Sequence, residues 1–389
     1  MSNKLKRQRT VVRGAHRMAA IAAGVVLTLG VASSAHADSA PATGADWSNM
    51  FSFSGFGTVG MTHSSLGTAD YTTNFFQPKG AGASSQYDFS DDTKVGAQVN
   101  AQLTSQLSAV VQIIMQQRYD NSYAPTVEWA NIKYAITPDL DVRVGRIALP
   151  TFLASDYVNV GYASPWAHAP IEVYNLVPVD SSDGVDTSYT LHLGKIDNTV
   201  QMFYGVDNTR APNPFAAGDV KFNARNIFGV FDTVERGALT VRAGYMQAKL
   251  NYGPFMAEPV TFYTAGAAYD QGNWFVQGEW AHAKVGNLTP GYNSWYAVGG
   301  YRIQKFTPYV MYSMERSLAN PIVIPNGNQG QKDYSVGVRW DLRKNLDLKV
   351  QYDRVVLPNN SQGYFVNPQQ GFVLGSRANV VSAVLDFVF

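Results

Sequence analysis

Between Ile147 and Gly194 the chain carries no Lys or Arg, and within that span Asp156, Glu172, Asp180 and Asp183 fall in one connector, 150–184. Carboxylates held in a water-filled passage opposite ammonium and guanidinium groups create a transverse field that orients and sorts solutes. The opposing bases expected from alternate-position parity are Lys94, Lys133, Arg143, Arg242, Arg302 and Arg339, with Arg118 and Arg225 as further candidates. Arg146 shares parity with apolar neighbours, which places it past a bulge or at the root of the connector. The competing reading makes 150–184 an outer lid with solvated acids. Its 35 residues, stiffened by Pro150, Pro165, Pro170 and Pro178, favour a functional loop folded inward.

Other chemistries are less well supported. Gly55-Phe56-Gly57-Thr58-Val59-Gly60 matches the dinucleotide-binding spacing, but that motif needs a helix to follow, and here the glycines sit inside an alternating strand. Asp180, Asp183 and Asp186, or Asp88, Asp91 and Asp92, offer oxygen ligands for Ca²⁺, yet such groups are more often solvated loops. No metal or cofactor is therefore assigned. A barrel hydrolase needs a serine matched in parity and depth to a histidine. Neither His192 nor His282 has one, and His63 and His168 lie in connectors, so no enzyme is expected. The chain has no cysteine, which excludes a disulfide scaffold or a thiolate metal site. A formal charge of +1 argues against a nucleic-acid partner.

The elements that position these residues are strands. In 333–343, Tyr334, Val336, Val338, Trp340 and Leu342 share one face, while Ser335, Gly337, Arg339, Asp341 and Arg343 share the other. The pattern recurs sixteen times, over 51–62, 93–104, 107–119, 126–136, 140–149, 185–195, 198–208, 222–233, 237–250, 260–270, 273–285, 294–304, 306–316, 332–343, 346–357 and 377–389. These segments are long for soluble strands and match the length of tilted membrane-crossing ones. Short turns follow the even segments and longer connectors follow the odd ones, as in an up-and-down barrel with one short rim and one long-loop rim. Sixteen half-apolar strands leave an apolar face that water does not tolerate and lipid does. Lipid in turn requires the sheet to close on itself. The expected fold is an all-β transmembrane antiparallel barrel. Trp47, Tyr119, Trp129, Tyr269, Trp274, Trp295, Tyr309, Tyr334 and Tyr352, near segment ends, suggest aromatic girdles.

The first 37 residues read as a cleaved export signal. Lys4, Lys6, Arg7, Arg9, Arg13 and Arg17 precede an apolar core from Met18 to Val31, and Ala35-His36-Ala37 precedes Asp38. The apolar core is too short for a spanning helix. The remaining domain, 38–389, carries 24 basic and 29 acidic residues, a net of −5.

With its opening Phe51-Ser-Phe-Ser-Gly-Phe-Gly strand, sixteen segments and closing Leu385-Asp-Phe-Val-Phe389, the chain resembles the general porins of Gram-negative outer membranes. The resemblance is one of layout across the mature chain, not a long shared motif. It implies a water-filled channel for passive diffusion of small hydrophilic solutes and ions, built as a homotrimer among outer-membrane lipid and lipopolysaccharide. It also implies an inward-folded constriction loop, the third on the long side, and a terminal Phe389 read by the barrel-assembly machinery. Two alternatives stay open. One is a substrate-specific channel with an aromatic track from Phe152, Tyr157, Tyr162, Trp166 and Tyr174. The other is a structural or adhesive barrel with a plugged lumen.

Overall fold

The computed structural model describes residues 50–213, 218–286, 289, 291–318 and 329–389. The expected export segment and Trp47 lie outside them. Sixteen long antiparallel strands form the wall. The first half comprises β1 (Phe51–Ser64), β2 (Lys94–Gln102), β3 (Leu107–Gln116), β4 (Thr126–Thr137), β5 (Leu140–Ala148), β6 (Ser181–Leu193), β7 (Ile196–Pro212) and β8 (Asp219–Arg236). The second comprises β9 (Leu239–Tyr252), β10 (Phe255–Asp270), β11 (Trp274–Val285), β12 (Tyr292–Tyr301), β13 (Phe306–Ser317), β14 (Gln331–Arg343), β15 (Leu346–Val356) and β16 (Arg377–Val388).

Each strand pairs with its neighbours in sequence, and β1 closes the sheet by pairing with β16 as well as β2, in register Gly60↔Val384 and Phe56↔Gly96. Every segment expected from the alternation is a strand. The largest differences are at long-loop ends. There β6 starts at Ser181, and β7 and β8 run to 17 and 18 residues. Paired backbone continues past the apolar stretch, so hydropathy alone sets those ends too short.

The outward face carries exposed Val59, Val111, Ile132, Val144, Met202, Val276, Val310, Val336 and Val381. Both strand termini meet at the short-turn rim, where the Gly55 and Phe389 backbones exchange hydrogen bonds of 2.9 and 3.0 Å. The glycines of the apparent dinucleotide motif have a packing cause. A Cβ on Gly55 would lie 2.2 Å from the Phe389 ring, and one on Gly57 would lie 2.4 Å from the Phe387 ring. Aromatic rings laid over strand glycines cover the exposed backbone.

The inner face is not polar throughout. Phe203, Phe231, Met246, Phe262, Tyr296, Tyr309 and Met311 point inward from β7–β13 and are buried under Phe152, Trp166, Val173 and Val177 of the third long loop, 149–180. Alternation shows which residues share a face but not what covers them. Here a loop supplies the cover, and apolar burial holds it there. Two expected girdle residues are thereby corrected: Tyr309 is buried inside, and Trp129 lines the interior. Tyr119 lies in a loop, whereas Trp274, Trp295, Tyr334 and Tyr352 are exposed outside. The first long loop, 65–93, folds over the third, placing Tyr71 beside Ile171 and Phe365.

Candidate constriction site

The third loop crosses the barrel and is fastened at three places. At its root, Arg242 Nη2 donates to the Pro150 carbonyl at 2.6 Å, with the guanidinium 5.4 Å from the Phe231 ring centroid. Nearby, the buried Glu279 of β11 accepts from the Leu153 N–H at 2.8 Å, the Tyr174 hydroxyl at 3.0 Å and the Tyr296 hydroxyl at 2.7 Å. At the turn Gly161–Ala163, Lys349 Nζ donates to the Gly161 carbonyl at 2.7 Å, and Arg339 Nη1 donates to the carbonyls of Tyr162 and Ser164 at 2.7 and 3.1 Å. A Cβ on Gly161 would fall 2.0 Å from Asp386 Oδ1 and 2.7 Å from Thr58 Oγ1, so only glycine lets the backbone sit on this charged floor. Beyond it, the one-turn helix Ile171–Tyr174 places Glu172 to accept from Ser313 Oγ at 2.6 Å and Gln331 Nε2 at 2.7 Å.

Below the loop, toward the short-turn rim, lies a cavity of about 1380 Å³ lined by Lys133, Asp141, Arg143, Asp156, Glu235, Arg242, Asp270, Arg302, Arg339 and Asp341, among others. Its bases are mostly neutralised within the wall. Lys133 pairs with Asp141 at 2.8 Å, Arg143 with Asp186 through a bidentate contact, Arg302 with Asp270 at 2.7 Å, and Arg339 with Asp341 and Asp347 at 2.8 and 3.0 Å. Arg242 instead has a backbone carbonyl and an aromatic ring as partners.

Of the four expected loop acids, Asp156 is exposed in the cavity. The others are placed differently. Glu172 is buried against neutral donors on β13 and β14, because the helix that carries it docks on the wall. Asp180 is turned into a small enclosed space beside Glu128 and Asn159. Asp183 is not in the loop at all, because β6 begins earlier than the sequence suggests; it pairs with Arg146 across the sheet at 2.7 Å. Arg146 thus sits at the loop root, as its parity implied.

Among the expected bases, Lys133, Arg143, Arg242 and Arg339 are wall residues lining the cavity, and Arg302 lines it from the turn after β12. Lys94 acts electrostatically on Asp180. Arg118 falls in the second long loop, where the chain has left the sheet and its guanidinium lies 5.2 Å from the Tyr119 ring centroid. Arg225 pairs with Lys249 on the outward face, since a register shift between Arg225 and Phe228 resets the parity.

Sequence reasoning missed Glu279 and Lys349. Both stand at alternate positions on the wet face of their strands, but nothing in the alternation marks them as the groups on which the loop rests. Of the aromatic track, Phe152 and Trp166 are buried in the interior core and Tyr174 is bound to Glu279, leaving Tyr157 and Tyr162 at the cavity. Of the acids that could offer oxygen ligands for Ca²⁺, Asp183 and Asp186 take different arginines. No group of three or more His, Asp or Glu among the described residues is arranged to hold a metal.

Among the loop groups, Asp180 and His168 have shifted acidities. Burial pushes the Asp180 carboxyl up to about 6, against the pull of Lys94 and the Asn159 amide. His168 lies 3.5 Å from Asp92 of the first loop, 3.6 Å from Asp353 of β15 and 3.1 Å from the Tyr71 hydroxyl. Burial alone lowers its pKa, but the two carboxylates outweigh that and raise it to about 8.

The sequence model of the Gram-negative porin family matches residues 19–359. No curated protein matches the chain. Among solved structures, the anion-selective porin from Comamonas acidovorans superposes with a TM-score of 0.58 at 14% identity, covering 87% of this chain and 100% of that one. The outer membrane channel DcaP of Acinetobacter baumannii gives 0.54 at 10% identity, covering 88% and 98%. In-vitro folded OmpT of Vibrio cholerae, in its trimer form, gives 0.52 at 13% identity, covering 87% and 100%. At such identities the likeness is one of fold.

Proposed function

The chain belongs to the Gram-negative porin family, as an outer-membrane channel for passive diffusion, and on that premise we propose that its selectivity is set where Asp156 and Arg242 line the cavity. The observation that carries this reading is the pairing pattern. Lys133, Arg143, Arg302 and Arg339 each have a carboxylate partner, whereas among the described residues Asp156 makes no ion pair and Arg242 is held by a carbonyl and a ring instead of a carboxylate. Paired charges cancel at the distance of a passing ion, and unpaired ones do not. Arg242, Glu279, Arg339 and Lys349 also fasten the loop, and so hold the passage at a fixed width.

The test is the reversal potential of purified channels in a salt gradient. Asp156→Asn is expected to shift the cation-to-anion permeability ratio toward anions by roughly fivefold, since one charge about 8 Å away in water changes each ion's share by about twofold in opposite directions. Glu172→Gln is expected to leave it unchanged, since that carboxyl is buried in the wall. An unmoved ratio in Asp156→Asn removes this assignment.

We read the assembly as a homotrimer joined through β1–β5. The outward residues there are mainly aliphatic, such as Val59, Met61, Val95, Val111, Ile113, Met115 and Val144. Exposed outward aromatics on β10–β15 include Tyr263, Trp274, Trp280, Trp295, Tyr334, Trp340 and Tyr352. Aromatic side chains mark the headgroup level of a lipid-facing surface, so the arc carrying them meets outer-membrane lipid and lipopolysaccharide. The opposite arc meets protein. The stacked Phe387 and Phe389 rings on the outer face of the last strand, 6.5 Å apart, form an exposed end for the barrel-assembly machinery to read. The segment 1–37 serves as the cleaved export signal.

A further inference from the structure

The first long loop leaves β1 and returns to β2, yet its tip lies on the opposite wall. Phe75 packs at a tilt against Phe222 of β8 and Tyr252 of β9, with ring centroids 5.9 and 6.4 Å away, and Phe76 meets Phe222 edge-on at 5.7 Å. In the closed ring β9 stands opposite β1, and β8 adjoins it. Sixteen strands about 4.8 Å apart and tilted by about 40° make a ring on the order of 30 Å across. Phe75 comes eleven residues after Ser64, the end of β1, and that length spans at most about 40 Å when extended. The outbound limb therefore has little slack as it crosses the mouth.

Its near side is fixed by backbone pairing. Asp70 and Val366 of the last long loop, 357–376, exchange two hydrogen bonds of 2.9 Å, and the Asp70 carboxylate accepts from Asn367 Nδ2 at 2.9 Å. On that flank the last long loop also covers the wall: the Tyr364 hydroxyl donates to buried Glu315, and its N–H donates to Gln331 Oε1 at 3.1 Å. The tip is a stiff knob. Gln77 Oε1 accepts from the N–H groups of Thr73 and Asn74 at 3.1 and 3.0 Å, and Asn74 Oδ1 accepts from the Phe76 N–H at 2.8 Å. Gln77 Nε2 ties this turn to the Asp91 carbonyl on the return limb at 2.7 Å. The seat of the knob is apolar. Half-buried Phe75 and Phe76 pack on Ala211, Phe222, Leu250 and Tyr252, beside Val179 of the third loop, and Asn175 Oδ1 accepts from the Phe75 N–H at 3.3 Å.

We propose that the first long loop is a strap that sets the size of solute admitted from the long-loop side, with Phe75 and Phe76 as the catch that holds it across the mouth. The strap and the last long loop fill one flank, so solutes enter on the other, toward β2–β7, before they meet the third loop. The inference rests on the channel reading. Losing two half-buried rings lowers the ratio of seated to released strap on the order of 30-fold.

The experiment is polymer exclusion in planar bilayers. Poly(ethylene glycol) of graded mass is added to one side at a time, and polymers small enough to enter that mouth lower the single-channel conductance. In Phe75→Ser with Phe76→Ser the cut-off from the long-loop side is expected to rise. Coil size grows with the square root of mass, so a gap widened by about half admits polymers of roughly twofold greater mass. The cut-off from the short-turn side is expected to stay where it is, because the third loop has not moved. The chain has no cysteine, so Phe76→Cys with Phe222→Cys offers a clean second arm. Unlinked, this variant lacks two rings of the seat and should show the raised cut-off; joined by a short bismaleimide, it should return to the wild-type value. An unchanged long-loop cut-off in both variants, an equal rise from both sides, or no return on cross-linking overturns the strap. Each of those results in a conducting channel leaves the channel reading standing, whereas a wild-type protein without conductance would reject that reading itself.

Discussion

Lys349→Met is the sharpest test of how the constriction loop is held. Lys349 is fully buried. Its ammonium group donates to Asp386 at 2.6 Å and to the Gly161 carbonyl at 2.7 Å, and lies 3.3 Å from Asp347. Methionine keeps the stem and most of the volume, but it leaves two buried carboxylates without that counter-charge and a loop carbonyl without its donor. Breaking a buried ion pair from one side costs about 3–5 kcal/mol, and a hydrogen bond to a charged group contributes about 1.5–3 kcal/mol. Even about 3 kcal/mol is more than a hundredfold in the population of the seated turn. The turn is therefore expected to lift from the wall. In planar bilayers the variant should show a larger and noisier single-channel conductance, and limited proteolysis should cut near 161–164, where the wild type resists. Neutralising the whole group, as Lys349→Met with Asp347→Asn and Asp386→Asn, removes charges together and should recover most of the thermal stability of the assembled barrel. Wild-type conductance and protease resistance in Lys349→Met would refute the reasoning, as would a neutral triple variant no more stable than the single one.

The remaining predictions use other parts of the frame. Gly161→Ala keeps every charge but drives a methyl into Asp386 and Thr58, so it should reproduce the enlarged conductance of Lys349→Met; an unchanged trace would show that the turn has room to spare. The pKa of His168 rises from its ordinary value near 6.5 to about 8, so its contribution to loop docking is complete below the lower value and is lost as pH rises through the higher one. The groups facing it are Tyr71, Asp92, Asp353, Gln351 and the Glu172 carboxylate. Conductance noise should increase between pH 7 and 9, and His168→Gln should abolish that dependence. Ile113→Arg places a charge on the aliphatic outer face of β3 and should abolish detergent-resistant trimers while leaving β-sheet circular dichroism intact.

The barrel was legible because a two-sided sheet writes its faces into the chain at period two, and the loop asymmetry adds the topology. Strand ends were less legible at the long-loop rim. Asp183 looks like loop chemistry beside Asp180, yet its backbone is paired with β5 and β7. The site was half legible. Parity placed Arg143, Arg242 and Arg339 on the inner wall, but their partners depend on contacts between segments far apart in sequence, as between Arg339 and Tyr162. Arg225 shows a second limit: a bulge resets the alternation, and no residue type announces it.

These contacts also change what the wall bases mean. An acidic loop opposite a basic wall suggests direct attraction, acid to base. The structure instead exchanges partners. Wall bases take loop carbonyls, a wall acid, Glu279, takes a loop N–H and two tyrosines, and a loop acid, Glu172, takes wall hydroxyl and amide groups. This arrangement suits a constriction that must hold its width. A backbone carbonyl fixes position as well as a carboxylate does, but it carries no net charge to repel or trap an ion. The bases can then be neutralised by wall acids, and the field felt by a passing solute depends on the few groups left unpaired. Counting charges over the whole chain, at net −5 for 38–389, says little about permeation. If Asp156→Asn shifts the reversal potential while Lys349→Met changes mainly conductance and its noise, sorting at Asp156 and fastening of the turn are separate tasks of separate residues. If Lys349→Met shifts the reversal potential as far as Asp156→Asn does, that division is wrong.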